Sequence, residues 1–492
     1  MKAILNSPYR YFFLAGFLVI SLSAWFSLGY HQMDEHFMIL EYPLYKAGVI
    51  PQRLIPWEFL QEIRPSLQPY LAQGLFSLLH LIGIDDAFIR TFILRLLSGW
   101  LAWWVTARIG LHVAASIAQE RLRKCWIGAL SLLWFLPYLD VRFSSENMAG
   151  IAFVSALLVL PVLSEDRPVD APLRKWVITG LLLAFSFFFR FQMAFAIIGL
   201  LVWILLKGRP LKRAIAGLCL GALLGIGINL FADYSFYGHW VLTPYNYFHA
   251  NIVQDAASDY GVNPWYDYVL MFIGTAAPPL SIVLLCLFAT GMVKNFFKPM
   301  VFVMIPFLLG HMSVPHKELR FLFPVLLPFL IICLDGLKVV WHFVERYRGW
   351  RIAGRWLIGI NCALLLFRTF SAAKPNHYYY RYLYHQPEPV HLVTLGPGIF
   401  DEGYNEIFLY RPKGFTEDTL TQGISLTNYI DAHPRDSYLV LSYQLSLPPV
   451  GPEYEAKRVY VYLPDAIINI QMNDWQSRSD IWSIWRVTRK KS

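Results

Sequence analysis

The sequence predicts a polytopic α-helical membrane protein that carries a soluble α/β domain at its C-terminal end. Three observations predict it. Hydrophobic residues fill 56% of the 492 positions and charged residues only 15%, where a soluble protein carries about a quarter charged. Lysine and arginine gather in short spacers between apolar runs of membrane length, the pattern of cytoplasmic loops. From about Ala373 the chain turns polar, with short β-like runs between Gly/Pro-rich connections. The net charge of +9 is therefore read as topology and not as a nucleic-acid surface.

The first run, Tyr11–Tyr30, follows Lys2 and Arg10, so it is expected to stay as a span with its N-terminal end inside. It delivers His31-Gln32-Met33-Asp34-Glu35-His36 to the outer surface, followed by Trp57-Glu58 and Arg64. Two adjacent carboxylates at a membrane exit suit a catalytic loop, or the start of a solvated one. Leu67–Ile84 is interrupted by Pro69, Gln73 and His80 and reads as an amphipathic helix on the outer interface. Phe88–Ala118 returns to Arg121, Arg123 and Lys124, and Trp126–Leu139 goes out to Arg142 and Glu146, which are expected to pair. Met148–Leu163 returns to a spacer with Arg167, Arg174 and Lys175; Trp176–Phe189 exits to Arg190, and the next run returns to Lys207, Arg209, Lys212 and Arg213.

Ala214–Phe231 leads to the loop Ala232–Tyr268, which holds Asp233, Asp255, Asp259 and Asp267 but no Lys or Arg, and so belongs outside. Val269–Val293, Met300–Met312, Phe321–Trp341 and Trp356–Phe370 bring the count to about eleven spans. The five cysteines lie in or beside apolar runs, so no disulfide is expected. Residues 1–372 are thus assigned to the membrane and residues 373–492 to an extracytoplasmic domain. There, Val390–Leu395, Tyr438–Ser442, Arg458–Leu463 and Ile481–Val487 read as strands, and Leu420–Ala432 as a helix opening near Thr416-Glu417-Asp418. It shows no phosphate loop, metal-spaced cluster or nucleophile elbow, and is expected to cover the outer site.

On this topology Asp34, Glu35, Trp57, Glu58, Arg64, Arg142, Glu146, Arg190, Asp233, His316, Lys317 and Arg320 all face one compartment. Lys317 and Arg320 depart from the positive-inside pattern, so something other than topology holds them there. With Pro315 starting a helix, His316 and Arg320 share a face at i, i+4 spacing, and the helix end favours an anion. A lipid phosphate satisfies this arrangement; an internal ion pair with Glu318 is the other reading. Residue chemistry alone suggests an outer-leaflet enzyme that holds a lipid phosphate and uses a carboxylate as general base.

Three ordered motifs sharpen this. His316-Lys317-Glu318-Leu319-Arg320-Phe321 is similar, at every defined position, to the H-K-E-x-R-F motif of the glycosyltransferase family 22 α-mannosyltransferases. Phe236-Tyr237-Gly238-His239-Trp240 with Thr243-Pro244, Asn246 and Asn251 resembles that family's F-Y-G-x-W…T-P-x-N pattern, and Tyr260-Gly261…Pro264-Trp265 resembles its Y-G-x-x-P-W. The family's first-loop H-P-D-E stands here as His31-Gln32-Met33-Asp34-Glu35, without the proline; Arg64-Pro65-Ser66 replaces R-S, and Tyr266 stands where His is frequent.

The resemblance implies a GT-C-like fold and an inverting transfer from a polyprenyl- or dolichyl-phosphate-sugar donor to a glycan or glycolipid acceptor. It implies Asp34 as the base, with Glu35 as second candidate or acceptor-orienting group, and His316, Lys317 and Arg320 on the departing phosphate. Trp57, Glu58, Arg64, Tyr237, Trp240, Asn246 and Trp265 become candidate substrate-binding residues, the tryptophans being candidates for the membrane interface as well. No cofactor is implied; Asp34-Glu35 offers too few ligands for a divalent metal, and metal dependence stays open. A transporter or flippase of lipid-linked sugars, and a non-catalytic subunit, are the rival classes. No Asn-x-Ser/Thr site occurs, which favours a bacterial inner membrane with a periplasmic site over the endoplasmic reticulum with a luminal one.

Overall fold

The computed structural model describes residues 2–160, 171–207, 212–402, 405–420, 425–470, 475–476 and 481–490. Arg167 and Arg209 of the expected basic spacers lie outside the described residues, as do 421–424 of the expected C-terminal helix.

The long uninterrupted apolar runs form long helices. Ala87–Ala114, Lys212–Tyr237, Leu319–Arg346 and Arg348–Thr369 are long and apolar enough to cross a membrane, and Leu280–Lys294 with Pro299–Ser313, bent by 115°, makes a fifth candidate if taken as one span. Arg10–Phe26, Ser145–Val159 and Met193–Leu206 are shorter apolar helices. The protein is thus a helical membrane protein, while eleven full spans are not what length and composition deliver among the described residues.

Two expected runs are broken. Trp126–Leu139 divides into Glu120–Leu132 and Leu136–Asp140. The backbone freed there is taken up by Asn361, whose amide accepts from the Trp134 N–H at 3.0 Å and donates to the Leu132 carbonyl at 2.8 Å. Val269–Val293 divides at Pro278-Pro279 into Asp267–Thr275 and Leu280–Lys294.

Lys212–Tyr237 packs against Leu173–Phe189 through Gly217, Gly221 and Gly225, every fourth residue of one face. A Cβ at Gly221 would stand 2.0 Å from the Val177 carbonyl oxygen, so only glycine permits this approach. The same buried face continues with Asn229 and Asp233. Asp233 accepts from the Ser66 N–H and hydroxyl at 2.8 and 2.7 Å and from the Thr243 hydroxyl at 2.9 Å. It thereby ties the end of the first outer loop and the helix Thr243–Phe248 to the membrane helix.

In the C-terminal part the strands are β1 His391–Leu395, β2 Asp401–Glu402, β3 Asn405–Glu406, β4 Thr416–Thr419, β5 Ser437–Ser442, β6 Tyr454–Tyr460 and β7 Ser483–Arg489. The main sheet runs β4-β1-β5-β7-β6, parallel across β4-β1-β5 and antiparallel across β5-β7-β6, and β2 pairs with β3. The α/β expectation holds, with corrections. Thr416-Glu417-Asp418 is strand and not a helix opening, because it pairs in register with His391-Leu392-Val393; among the described residues the helix runs Leu426–Ala432. The strand expected at Arg458–Leu463 begins earlier, at Tyr454. Leu28, Tyr30, Phe37 and Tyr42 of the first loop share one buried cluster with Tyr379, Tyr380, Leu383, Ile407 and Tyr410. The C-terminal part therefore rests directly on the segment that carries Asp34 and Glu35.

Candidate functional site

Asp34 lies in the first turn of the short helix Met33–Phe37, directly after the chain leaves Arg10–Phe26. Its Oδ2 meets Arg64 at 3.0 Å and Arg320 at 3.1 Å. Arg320 opens the 3₁₀ turn Leu319–Val325, preceded by an extended Glu318, so no helix starts at Pro315 and the expected i, i+4 face does not form. Instead Glu318 bridges the two residues: it accepts the Arg320 Nε and terminal nitrogen at 2.8 Å each, and pairs with His316 Nε2 at 3.2 Å. The internal ion pair is present, and it coexists with the contact to Asp34.

Two residues outside the expected site set complete the cluster. Glu146, in the first turn of Ser145–Val159, lies 3.4 Å from Arg190 and 3.8 Å from Arg320. Arg142 does not pair with it. Arg142 turns to Glu35 at 3.7 Å and donates to the carbonyls of Gly29 and Ser27. Glu35 also accepts the His31 N–H at 2.9 Å, which makes it the brace of the loop while Asp34 stays one-fifth exposed. Charged residues buried at the ends of apolar helices were the available signal for Glu146 and Arg190; Glu318 could be read from its place between two basic motif residues.

The electrostatics follow from this crowding. Burial pushes the Asp34 carboxyl up, but the guanidiniums of Arg320, Arg64 and Arg190 outweigh it and hold it well below the usual carboxylate range. Burial raises Glu35 and Glu58, offset in part by Arg142 and Arg64 respectively. His31, packed under Tyr138 with its Nδ1 2.9 Å from the phenol oxygen, is pushed down to about 4 by burial and by Arg142 and Arg368. It is neutral near pH 7. The buried Nε atoms of Arg64 and Arg190 and Nδ1 of His316 have no hydrogen-bond partner.

A narrow cleft opens beside this cluster. His31, Glu35, Arg142, Glu146 and Arg320 line it together with Val105, Leu136, Leu139, Val154, Leu326 and Leu327, so charged groups and long apolar walls share one space. A family model for Alg9-like mannosyltransferases matches residues 11–389.

The chain belongs to that family. It is 25% identical over 320 residues to GPI alpha-1,2-mannosyltransferase 3 of Bos taurus, covering 62% of this chain and 55% of the relative. It is 25% identical over 334 residues to Mannosyltransferase APTG1 of Arabidopsis thaliana, covering 65% and 57%. It is 25% identical over 379 residues to GPI mannosyltransferase 3 of Schizosaccharomyces pombe, covering 68% and 69%. The chain spans little more than half the length of the first two.

Within this Alg9-like chain the other motif residues divide. Trp57 donates to the Tyr260 hydroxyl at 2.8 Å, and the Tyr260 ring lies 5.9 Å from that of His316, so both stand beside the cluster. Glu58 approaches Arg64 at 3.9 Å. Tyr237 donates to the Arg64 carbonyl at 2.8 Å, and Asn246 to that of Glu62 at 3.3 Å; both position the loop segment that carries Arg64. Lys317 is buried with its Nζ on the carbonyls of Val314 and Asn263, turned to backbone and not to the carboxylates. Trp240 and Trp265 are 70% and 65% exposed and pack on Tyr234 and Tyr266, outside the cluster. Among the described residues no group of three His, Cys, Asp or Glu is placed to hold a metal ion.

Proposed function

We propose that this protein is a membrane mannosyltransferase that moves a mannosyl residue from a polyprenyl-phosphate donor to a glycan or lipid-linked acceptor. The observation that carries the proposal is Asp34, a carboxylate bracketed by Arg64 and Arg320 beside a cleft with a charged end and apolar walls. The names of the relatives support the sugar, since all three are called mannosyltransferases.

The donor phosphate takes the charged end of the cleft, with the polyprenyl chain along Val105, Leu136, Val154 and Leu327. Arg320 is at present shared between Glu318 and Asp34. A phosphate oxygen replaces Asp34 on the Arg320 fork, one of the charged groups that line the cleft. Freed from one guanidinium, the Asp34 carboxylate rises towards the ordinary range and becomes a competent base. The acceptor oxygen attacks the anomeric carbon; its proton passes to Asp34, the new C–O bond forms, and the bond to the phosphate oxygen breaks with its electron pair. The charge left on the polyprenyl phosphate is held by Arg320 and its neighbours, where exclusion of water makes their field strongest.

We assign the site to the outer face, periplasmic in a bacterium or luminal in the endoplasmic reticulum. The membrane region, residues 1–372, carries the chemistry, and residues 373–492 cover it. Purified full-length protein in lipid nanodiscs should release polyprenyl phosphate from polyprenyl-phosphate-mannose, not from nucleotide-mannose, and Asp34→Asn should abolish release. Release of similar rate from the variant would remove Asp34 as the base. Lipid-donor binding without release by the wild type would point to a flippase or a non-catalytic subunit.

A further inference from the structure

The segment 238–266, between the end of Lys212–Tyr237 and the start of Asp267–Thr275, is built the wrong way round for a loop in water. Its helix Thr243–Phe248 continues into the wider turn His249–Val253. The polar side of this run is turned inward: Thr243 donates to Asp233, Asn246 donates to the Glu62 carbonyl, and the Tyr247 hydroxyl accepts from Gln192 at 2.6 Å. The outward side shows Leu242, Tyr245, Phe248 and Ile252, three or four residues apart and exposed at 60%, 62%, 54% and 48%.

What covers this face follows from its surroundings. Trp240, Val262 and Trp265 of the same segment are exposed as well, more large apolar surface than a protein leaves to water without a use for it. The span beside it faces lipid, with Phe231 and Tyr234 exposed, and the Tyr234 ring lies 4.7 Å from that of Trp240, so the lipid-facing surface runs on into the segment. No Lys or Arg occurs in it, and its two acids, Asp255 and Asp259, stand close together in the turn that separates Val253 from Val262. Tryptophan and tyrosine among aliphatic residues, with charge confined to one crest, is the composition of a membrane–water boundary.

We propose that the segment 238–266 is an interfacial anchor: the face made by Leu242, Tyr245, Phe248 and Ile252 lies in membrane lipid, in the leaflet on the side of the Asp34 cluster. Its occupant is the boundary between headgroups and acyl chains, entered to a depth of about 5–10 Å, with Asp255 and Asp259 left in water. The polar side of the anchor grips the loop that bears Arg64. Tyr237 and Asn246 hold the carbonyls of Arg64 and Glu62, and Tyr260 accepts from Trp57. The bilayer surface thereby becomes part of what positions the Arg64 side of the cluster. The inference concerns contact with lipid and stands or falls independently of the transferase reading.

The test uses the full chain in nanodiscs of phosphatidylcholine, either plain or brominated on its acyl chains, since bromine quenches tryptophan emission only at close range. Trp240→Phe and Trp265→Phe keep an apolar ring, and the emission each removes from the wild type is the emission of that tryptophan. That difference should lose about half or more of its intensity in brominated lipid, and acrylamide in the water should quench it far less than it quenches free tryptophan. Phe248→Trp adds an emitter on the helical face. Its added emission should be blue-shifted and quenched by the brominated lipid, and this variant carries the test if the phenylalanine variants do not fold. Emission that acrylamide quenches and brominated lipid leaves unchanged overturns the anchor, because the face then lies in water. Emission that neither quencher reaches overturns it as well, and places a protein surface, of this chain or of a second copy, over the face.

Discussion

Asp34 and Glu41 belong to one short segment and are held in opposite ways. Asp34 is one-fifth exposed, and its partners are two guanidiniums from distant stretches, Arg64 and Arg320. Glu41 is fully buried; it accepts the N–H groups of Phe408 and Leu409 at 2.7 and 3.2 Å and pairs with the His36 ring at 2.9 Å. The same contrast recurs among the basic residues. Arg320 spreads its fork over Glu318 and Asp34, whereas the Lys317 ammonium is fixed on backbone carbonyls. A charge held by other side-chain charges can exchange them for an incoming ion. A charge held by backbone groups is part of the frame. The contrast separates charges open to exchange from charges built into the frame, and the C-terminal part, through Phe408 and Leu409, pins the segment that bears Asp34.

The largest expected effect is at Asp34. Asp34→Asn should lower transfer by about 10²–10⁴-fold, the usual contribution of a general base. Its ion pairs should also be visible in stability. The folded pKa is depressed, so the carboxylate stabilises the protein above its unfolded pKa of about 3.9, and this is lost as pH falls through the lower folded value. Thermal unfolding should show the wild type ahead of Asp34→Asn at neutral pH and still ahead at about pH 4.5, with the gap closing only in stronger acid. A gap that vanishes already between neutral pH and about pH 5 would mean that the guanidiniums do not hold Asp34 ionised.

Next comes Arg320. Arg320→Ala should lower kcat/KM for the donor by about 10²–10³-fold, the range for removing one preorganised donor to developing charge. Arg320→Lys should recover little, because a point charge cannot serve Glu318 and Asp34 at once as the planar fork does. Full recovery by lysine would show that only charge matters there.

Glu41→Ala should act mainly on stability. It leaves the Phe408 and Leu409 N–H groups without their acceptor, at about 1–3 kcal/mol for each buried group, and should lower the thermal midpoint and speed proteolysis near residues 405–410. Transfer per folded molecule should fall far less than in Asp34→Asn. Equal loss of transfer at an unchanged midpoint would move Glu41 into the machinery and dissolve the contrast.

These distinctions were only partly legible in the sequence. Unbroken apolar runs such as Phe88–Ala118 and Ala214–Phe231 read correctly as helices, since length and apolarity are local properties. The break at Leu133–Phe135 was not legible, because the group that makes it tolerable, Asn361, lies far along the chain. Thr416-Glu417-Asp418 has the chemistry of a helix start, and parallel pairing with β1 overrides it. At the site, residue types and motif spacing marked Asp34, Arg64, His316 and Arg320. Partners were another matter: Arg142 and Glu146 look like a local pair at i, i+4, yet each finds a distant partner, Glu35 and Arg190. Neither spacing nor composition told the exchangeable charge from the fixed one.

Lys317 tests that last point most finely, because motif resemblance gives it the same role as Arg320 and the structure does not. Its Nζ is 2.8 Å from the Val314 carbonyl and 3.0 Å from that of Asn263, and the Asn263 Oδ1 accepts the Lys317 N–H at 3.3 Å. The side chain thus closes the loop 263–317 on itself. For a phosphate to recruit the ammonium, both carbonyls would have to be abandoned in a buried place, an exchange with no gain comparable to the one open to Arg320. Lys317→Met keeps the stem and removes the donors. It should lower the thermal midpoint and change the donor KM by less than about threefold, while Arg320→Ala changes donor kcat/KM by orders of magnitude. A rise in donor KM as large as that of Arg320→Ala would mean that the ammonium leaves its carbonyls when the donor binds, and that being held by backbone does not keep a charge out of the chemistry.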